Sequence, residues 1–174
     1  TGSTAPVTIA RMELTTINYE VRDGVAHVRF ARPEGANAVN PGFSRDLREV
    51  MLAIEFDPAV KAVSVTAEGR VFCAGGDLKE FHAAGDGLPQ LAADMLVDFH
   101  GAIYKMNRVP KPFVAGVNGA AGGAGLSLVS SVDLVVCGES ARCTMAYTRA
   151  GVTPDGTSTY FLARHIGLRR MLDL

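Results

Sequence analysis

The sequence predicts an α/β domain with a mostly parallel sheet covered by helices, and three observations carry that prediction. Short β-branched runs alternate with longer segments of helical apolar spacing, the pattern of strand–helix–strand units. The first two runs instead flank Asp23-Gly24, the residue pair of a tight hairpin. Two glycine-rich stretches, AGGDL (74–78) and GGAGL (122–126), each stand just ahead of a helical pattern.

In order along the chain, INYEVRD (17–23) and VAHVRFAR (25–32) are predicted as the paired strands, followed by the loop ARPEGANAVN. Residues 41–57 place Phe43, Leu47, Val50, Met51 and Ile54 on one helical face. KAVSVTA (61–67) is a buried strand, GRVFCAGGDLKEF (69–81) a glycine-containing loop entering a short helix, and residues 89–108 a second long helix. KPFVAGV (111–117) and DLVVC (133–137) are strands on either side of NGAAGGAG and the apolar run LSLVSSV. TYFLARHIG is a helix ending at Gly167, and LRRMLDL an amphipathic helix. That the sequence stops within this last helix suggests a fragment or a disordered remainder.

With 174 residues, 48% apolar and 20% charged, and with no internal repeat or linker, the chain fits one domain. Residues 1–14 are expected to be a disordered lead-in without the basic and apolar regions of a signal peptide, and 15–174 the domain proper. A net charge of −1 without a basic stripe points away from nucleic acid. No apolar run is long enough for a membrane span. Cys73, Cys137 and Cys143 follow no metal-ligand spacing and are odd in number, so a reduced, cytoplasmic setting with no metal is expected.

The two glycine loops are the first candidates for chemistry. A helix start carries unpaired N–H groups that suit a developing anion, and glycine lets a ligand approach the main chain. Neither loop has the spacing of a Walker or dinucleotide motif. Each alone is equally explained by tight helix–strand packing; two of them, about 48 residues apart, could supply one N–H each to a single oxyanion.

RPEGANAVN, then RVFCAGGDLKEF, then KPFVAGVNGAAGGAGLSLVSSVDLVV resemble the enoyl-CoA hydratase/isomerase (crotonase) family in order and spacing, from about residue 15 to 174. The resemblance implies a ClpP/crotonase-like fold of ββα units and an acyl-CoA thioester substrate, with coenzyme A as part of that substrate and no separate cofactor. It also implies a homotrimer or hexamer when the family's C-terminal helical region is present; residues 15–174 are expected to be the core domain without that region. The oxyanion hole falls to the N–H groups of Gly76 and Ala124. The loop of Ala74, Gly75, Asp77 and Leu78 would line the CoA adenine pocket, Gly123 would belong to the substrate site, and Ala36 and Ala38 would line the pantetheine side. Glu34 stands where many relatives have a lysine, which leaves a CoA-phosphate contact there in doubt. Losing one oxyanion donor typically costs roughly 3–4 kcal/mol of transition-state stabilisation.

The departures from the family are as informative. The two glutamates that activate water in its hydratases would fall at Ser127 and Tyr147, and neither is a carboxylate. Both are expected to line the acyl pocket, with Tyr147 shaping it or donating a hydrogen bond. Asp155, in AGVTPDGTST, sits where isomerases and dehalogenases of the family carry a functional aspartate. A Pro-Asp-Gly turn with Asp155, Thr157 or Ser158 capping the next helix accounts for the residue equally well. The expectation is an isomerase-type enzyme with Asp155 moving a proton. The alternatives are a hydratase, an acyl-CoA hydrolase or dehalogenase with Asp155 as nucleophile, and a binding protein without catalysis. His82, His100 and His165 are helix-face residues, of which His100 lies where a dehalogenase would place its hydrolytic base. Asp77 is expected to cap its helix and Cys73 to pack beside the hole.

Overall fold

The computed structural model describes residues 12–174, so most of the expected lead-in, residues 1–11, lies outside the described residues. The hairpin forms as the sequence indicates, with β1 (Ile17–Arg22) antiparallel to β2 (Val25–Phe30). Asp23 and Gly24 both take positive φ, 53° and 79°, the requirement of a turn whose twist matches that of its strands. Helix α1 (Pro41–Phe56) starts where Asn40 accepts a hydrogen bond from the Phe43 N–H at 2.9 Å and Pro41 occupies the first turn. Its five expected core residues are all buried. Asp46, fully buried on α1, accepts from the N–H groups of Thr15 and Thr16 and from the Thr16 hydroxyl, each at 2.8 Å, and so fixes the approach to β1.

Three ββα units follow. The first is β3 (Ala62–Ala67), β4 (Val71–Cys73), then α2 (Leu78–Ala84) and α3 (Leu88–Met106) joined by a 3₁₀ turn. The second is β5 (Phe113–Val117), β6 (Ala120–Gly122) and α4 (Ala124–Ser130). The third is β7 (Leu134–Cys137), β8 (Arg142–Thr144) and α5 (Ser158–Ile166), after which Gly167 at φ 84° leads into α6 (Leu168–Leu172). The first strand of each unit joins a five-stranded sheet in the order β1-β2-β3-β5-β7, parallel from β2 onward. The second strands form a separate parallel sheet, β4-β6-β8.

This second sheet corrects the sequence reading, which took 69–73 and 119–122 as loop, left 142–144 unassigned and expected one core sheet. Each of its strands is three residues long, too short to display a period of two, and β6 is Ala-Ala-Gly. The core lies between the two sheets and α1, where Phe30 meets Phe43 edge-on at 4.9 Å and Phe72 at 5.3 Å between ring centroids. Helix α4 is buried along its whole length, which explains its lack of charge. At its end, the hydroxyls of Ser130 and of the following Ser131 both donate to the Ser127 carbonyl, at 2.9 and 2.7 Å. Among the described residues no helix is long and apolar enough to cross a membrane.

Candidate active site

Because β4, β6 and β8 are parallel, their carboxyl ends open on one side, and the segment after each delivers one part of the site. After β4 comes Ala74-Gly75-Gly76-Asp77. The Val39 N–H donates to the Gly75 carbonyl at 2.7 Å and the Asp77 N–H to the Val39 carbonyl at 2.9 Å, so the loop is stitched to residues 36–39 on both sides of Gly76. The Gly76 N–H itself has no acceptor among the described residues. Gly75 adopts φ 104°, and a Cβ there would lie 2.8 Å from the Gly122 carbonyl oxygen. A Cβ on Gly76 would strike the Phe81 ring at 2.7 Å.

After β6, Gly123 turns at φ 48° and donates its N–H to the Thr144 carbonyl at 3.0 Å. Ala124 then opens α4, with its N–H likewise free of any acceptor among the described residues. The two loops touch through their main chains, since a Cβ on Gly75 would stand 3.6 Å from the Ala124 nitrogen. Alanine at 124 occupies a helical position and needs no left-handed backbone. The glycine that close packing demands is the next one: a Cβ on Gly125 would fall 2.2 Å from the Cys73 carbonyl oxygen. Two unpaired N–H groups thus sit on two abutting loops, an arrangement able to hold an oxyanion.

The third segment brings in the side chains. Ala146, at φ 49°, makes a strained three-residue turn in which the Tyr147 N–H donates to the Met145 carbonyl at 2.5 Å. Tyr147 is thereby turned inward, 7% exposed, and its hydroxyl donates to Asp155 Oδ1 at 2.8 Å. The fully buried Ser127 Oγ lies 2.6 Å from the same phenol oxygen. Asp155 Oδ2 meets His100 Nε2, projecting from α3, at 3.1 Å. Both carboxylate oxygens are therefore engaged by side chains, and neither caps α5. The helix start is satisfied by the Asp155 carbonyl, which accepts from the Ser158 N–H at 3.1 Å and the Ser158 hydroxyl at 2.8 Å. Thr157, the residue before α5, makes no side-chain cap at φ 64°. The turn seen in the sequence is real, but its capping is done by the main chain.

Asp77 does cap α2, accepting from the N–H groups of Lys79 and Glu80 at 3.2 and 3.3 Å. Its other oxygen pairs with Arg32 Nη2 at 2.7 Å. Burial works to raise its pKa, but the Arg32 guanidinium and the helix N–H groups outweigh this and hold the carboxyl below its ordinary value. Arg32 also donates to the Ala38 carbonyl at 3.2 Å, and the Ala36 carbonyl accepts from the Ala74 N–H at 3.1 Å, so the 32–38 loop lies against the first glycine loop. Ala36, at φ 52°, and the buried Ala38 are held there by Asn37. The fully buried Asn37 amide donates to the carbonyls of Glu68 and Val71 at 2.9 and 2.8 Å. Neither Arg32 nor Asn37 stands out in the sequence, because their partners are 31 to 45 residues away. Leu78 is exposed at the start of α2.

Burial is the first cause that pushes the Tyr147 phenol well above its ordinary value of 10; the Asp155 carboxylate adds to it and the Ser127 hydrogen bond partly offsets it. The Cys73 thiol, fully buried, is pushed up to about 12, which leaves it unreactive as a packing residue. His82 is exposed on α2, and His165 Nε2 lies 3.1 Å from the Ser130 carbonyl; neither reaches Asp155.

Comparison with known proteins agrees with this geometry. The family model described as enoyl-CoA hydratase/isomerase matches residues 20–172. A 4-chlorobenzoyl coenzyme A dehalogenase of Arthrobacter sp. is 35% identical over 159 residues, covering 90% of this chain and 57% of that protein. The 1,2-epoxyphenylacetyl-CoA isomerase of Escherichia coli (strain K12) is 32% identical over 155 residues, covering 88% and 59%. The crystal structure of an enoyl-CoA hydratase from Polaromonas sp. JS666 superposes with a TM-score of 0.84 at 34% identity, over 91% of this chain and 62% of that one. The chain thus spans about 60% of the length of the proteins it matches. With the paired glycine loops and the two sheets of ββα units in view, the conclusion is direct: the chain has the crotonase fold and belongs to the enoyl-CoA hydratase/isomerase family.

Proposed function

We propose that this chain forms the catalytic core of an acyl-CoA enzyme that shifts a double bond by proton transfer, with Asp155 as the acid–base group. The observation that carries the reading is the placement of Asp155, hydrogen-bonded by His100 and by Tyr147, the latter standing where the family resemblance puts one of the two hydratase glutamates. A carboxylate so placed can take up a proton and give it back. It takes a proton from the carbon α or γ to the thioester carbonyl. The resulting enolate oxygen is bound by the N–H groups of Gly76 and Ala124, and the same proton is returned at the other end of the allylic system. Ser127 and Tyr147 carry no charge with which to activate water, which argues against two-carboxylate hydration. Asp155→Asn is expected to lower isomerisation of a 3-enoyl-CoA by about 10²–10⁴-fold. Undiminished isomerisation in that variant would refute the shuttle, and binding of acyl-CoA without turnover in either protein would leave a binding role.

His100 supports a second, hydrolytic reading, since a histidine 3.1 Å from the carboxylate is placed to activate water. Here Asp155 attacks a ring carbon bearing a halide, the halide leaves, and water deprotonated by His100 cleaves the aryl ester. Single turnover in ¹⁸O-labelled water separates the two: label in the Asp155 carboxylate supports the nucleophile, and its absence during productive isomerisation supports the shuttle.

A further inference from the structure

We infer that Tyr147 and Ser127 are positioning residues that divide the two oxygens of Asp155, tying Oδ1 into the protein interior and leaving Oδ2, on the His100 side, as the reacting atom. This rests on the proposed role of Asp155 as the reacting carboxylate. The direction of the hydrogen bonds follows from counting protons. Tyr147 has one, and an ionised Asp155 can only accept, so the phenol donates to Oδ1 at 2.8 Å. The Ser127 hydroxyl, 2.6 Å from the phenol oxygen, must then be the donor of that pair, although the Asp155 carbonyl at 3.1 Å also lies within its reach. The result is a one-way chain, Ser127 to Tyr147 to Asp155, in which each donor strengthens the next.

Burial separates the two oxygens. Ser127 is fully buried and Tyr147 7% exposed, whereas the His100 side chain is 45% exposed and that of Asp155 26%. Oδ1 is bonded to the buried, neutral hydroxyl pair, and Oδ2 to the more exposed His100. The backbone is committed to this arrangement at some cost. Ala146 and Thr157 both hold positive φ, unfavourable for residues with a Cβ, on either side of the Tyr147–Asp155 pair. Gly156 is pressed so closely on Ser127 that a Cβ would lie 2.8 Å from the serine Cβ. Such strain is expected where side chains must be aimed rather than merely packed. The raised phenol pKa keeps Tyr147 a neutral donor throughout the working range. The titratable groups bonded to Asp155 are His100 from α3 and Tyr147 from the β8–α5 connection; α4 contributes only the uncharged Ser127, and α5 the uncharged Ser158.

The test is a ¹³C-NMR titration of the Asp155 carboxyl in full-length protein labelled at aspartate and assigned with Asp155→Asn, together with the pH profile of kcat/KM. In Tyr147→Phe, loss of a donor to the anion is expected to raise the Asp155 midpoint, and with it the acid limb of the profile, by about one pH unit. Ser127→Ala is expected to raise it by less, with kcat falling and KM unchanged in both. A midpoint that stays put in a folded Tyr147→Phe protein overturns the proposal and leaves Tyr147 a space-filling residue. Should Tyr147→Phe fail to fold, Ser127→Ala, which removes one hydroxyl, is decided by the same criterion. The titration needs no substrate. A shifted midpoint in a protein that isomerises nothing therefore sinks the isomerase reading and leaves the division of the carboxylate standing, while an unshifted midpoint in an active isomerase does the reverse.

Discussion

Asp77 shows how a single side chain can serve two structures at once. It caps α2, whose first turn follows the Gly76 N–H, and it fastens the Arg32 loop to that point. Asparagine caps a helix about as well as aspartate but cannot form the ion pair. Asp77→Asn is therefore expected to keep α2 and lose about 1–3 kcal/mol at neutral pH. Because the folded pKa is lowered, the wild-type contribution is complete above the unfolded carboxylate value near 4 and declines as pH falls through the lowered folded value. Denaturant unfolding followed from pH 7 to pH 3 should show the two proteins converging at the acid end. Asp155 itself was visible in the sequence as a carboxylate in a Pro-Asp-Gly turn, but its orientation was not. That depends on a positive φ at Ala146, which an alanine gives no sign of, and on a histidine 55 residues away.

At the scale of elements, what was legible depended on length. Helix α1 announces itself through sustained periodicity and the β1–β2 hairpin through Asp23-Gly24, and both form as expected. The cap on α1 is a measurable part of this: Asn40→Ala is expected to cost about 1 kcal/mol, read as a lowered midpoint in urea with unchanged slope. The β4-β6-β8 sheet was not legible, because strands of three residues carry no pattern and their pairing partners lie one whole unit away. Yet the glycine loops seen in the sequence are the direct continuation of those strands. Their glycines answer to the neighbouring unit, Gly75 to the Gly122 carbonyl and Gly125 to the Cys73 carbonyl, so the sequence revealed the junctions before it revealed what they join.

At the scale of the whole molecule, the two sheets and α1 are locked by the Phe30, Phe43 and Phe72 cluster, drawn from three different elements. Phe72 lies on β4, the strand that runs directly into the first glycine loop. Phe72→Ala is expected to cost about 3–5 kcal/mol and to lower Tm in a single transition seen by both far-UV and near-UV circular dichroism. Two separated transitions would mean that the sheets fold independently.

The staggering of the ββα units also bears on how such a protein can change its chemistry. The two free N–H groups come from the first and second units, where glycines wedged against neighbouring carbonyls tolerate almost no alteration. The carboxylate comes from the third, on a connection whose side chains meet the rest through hydrogen bonds. Under the proposed function, anion binding and bond-making chemistry are inherited separately. A lineage can exchange residues at 147 and 155 for another acid, base or nucleophile while the part hardest to rebuild remains untouched. Relatives named for dehalogenation and for epoxide isomerisation stand at comparable distance from this chain, as such exchange would produce.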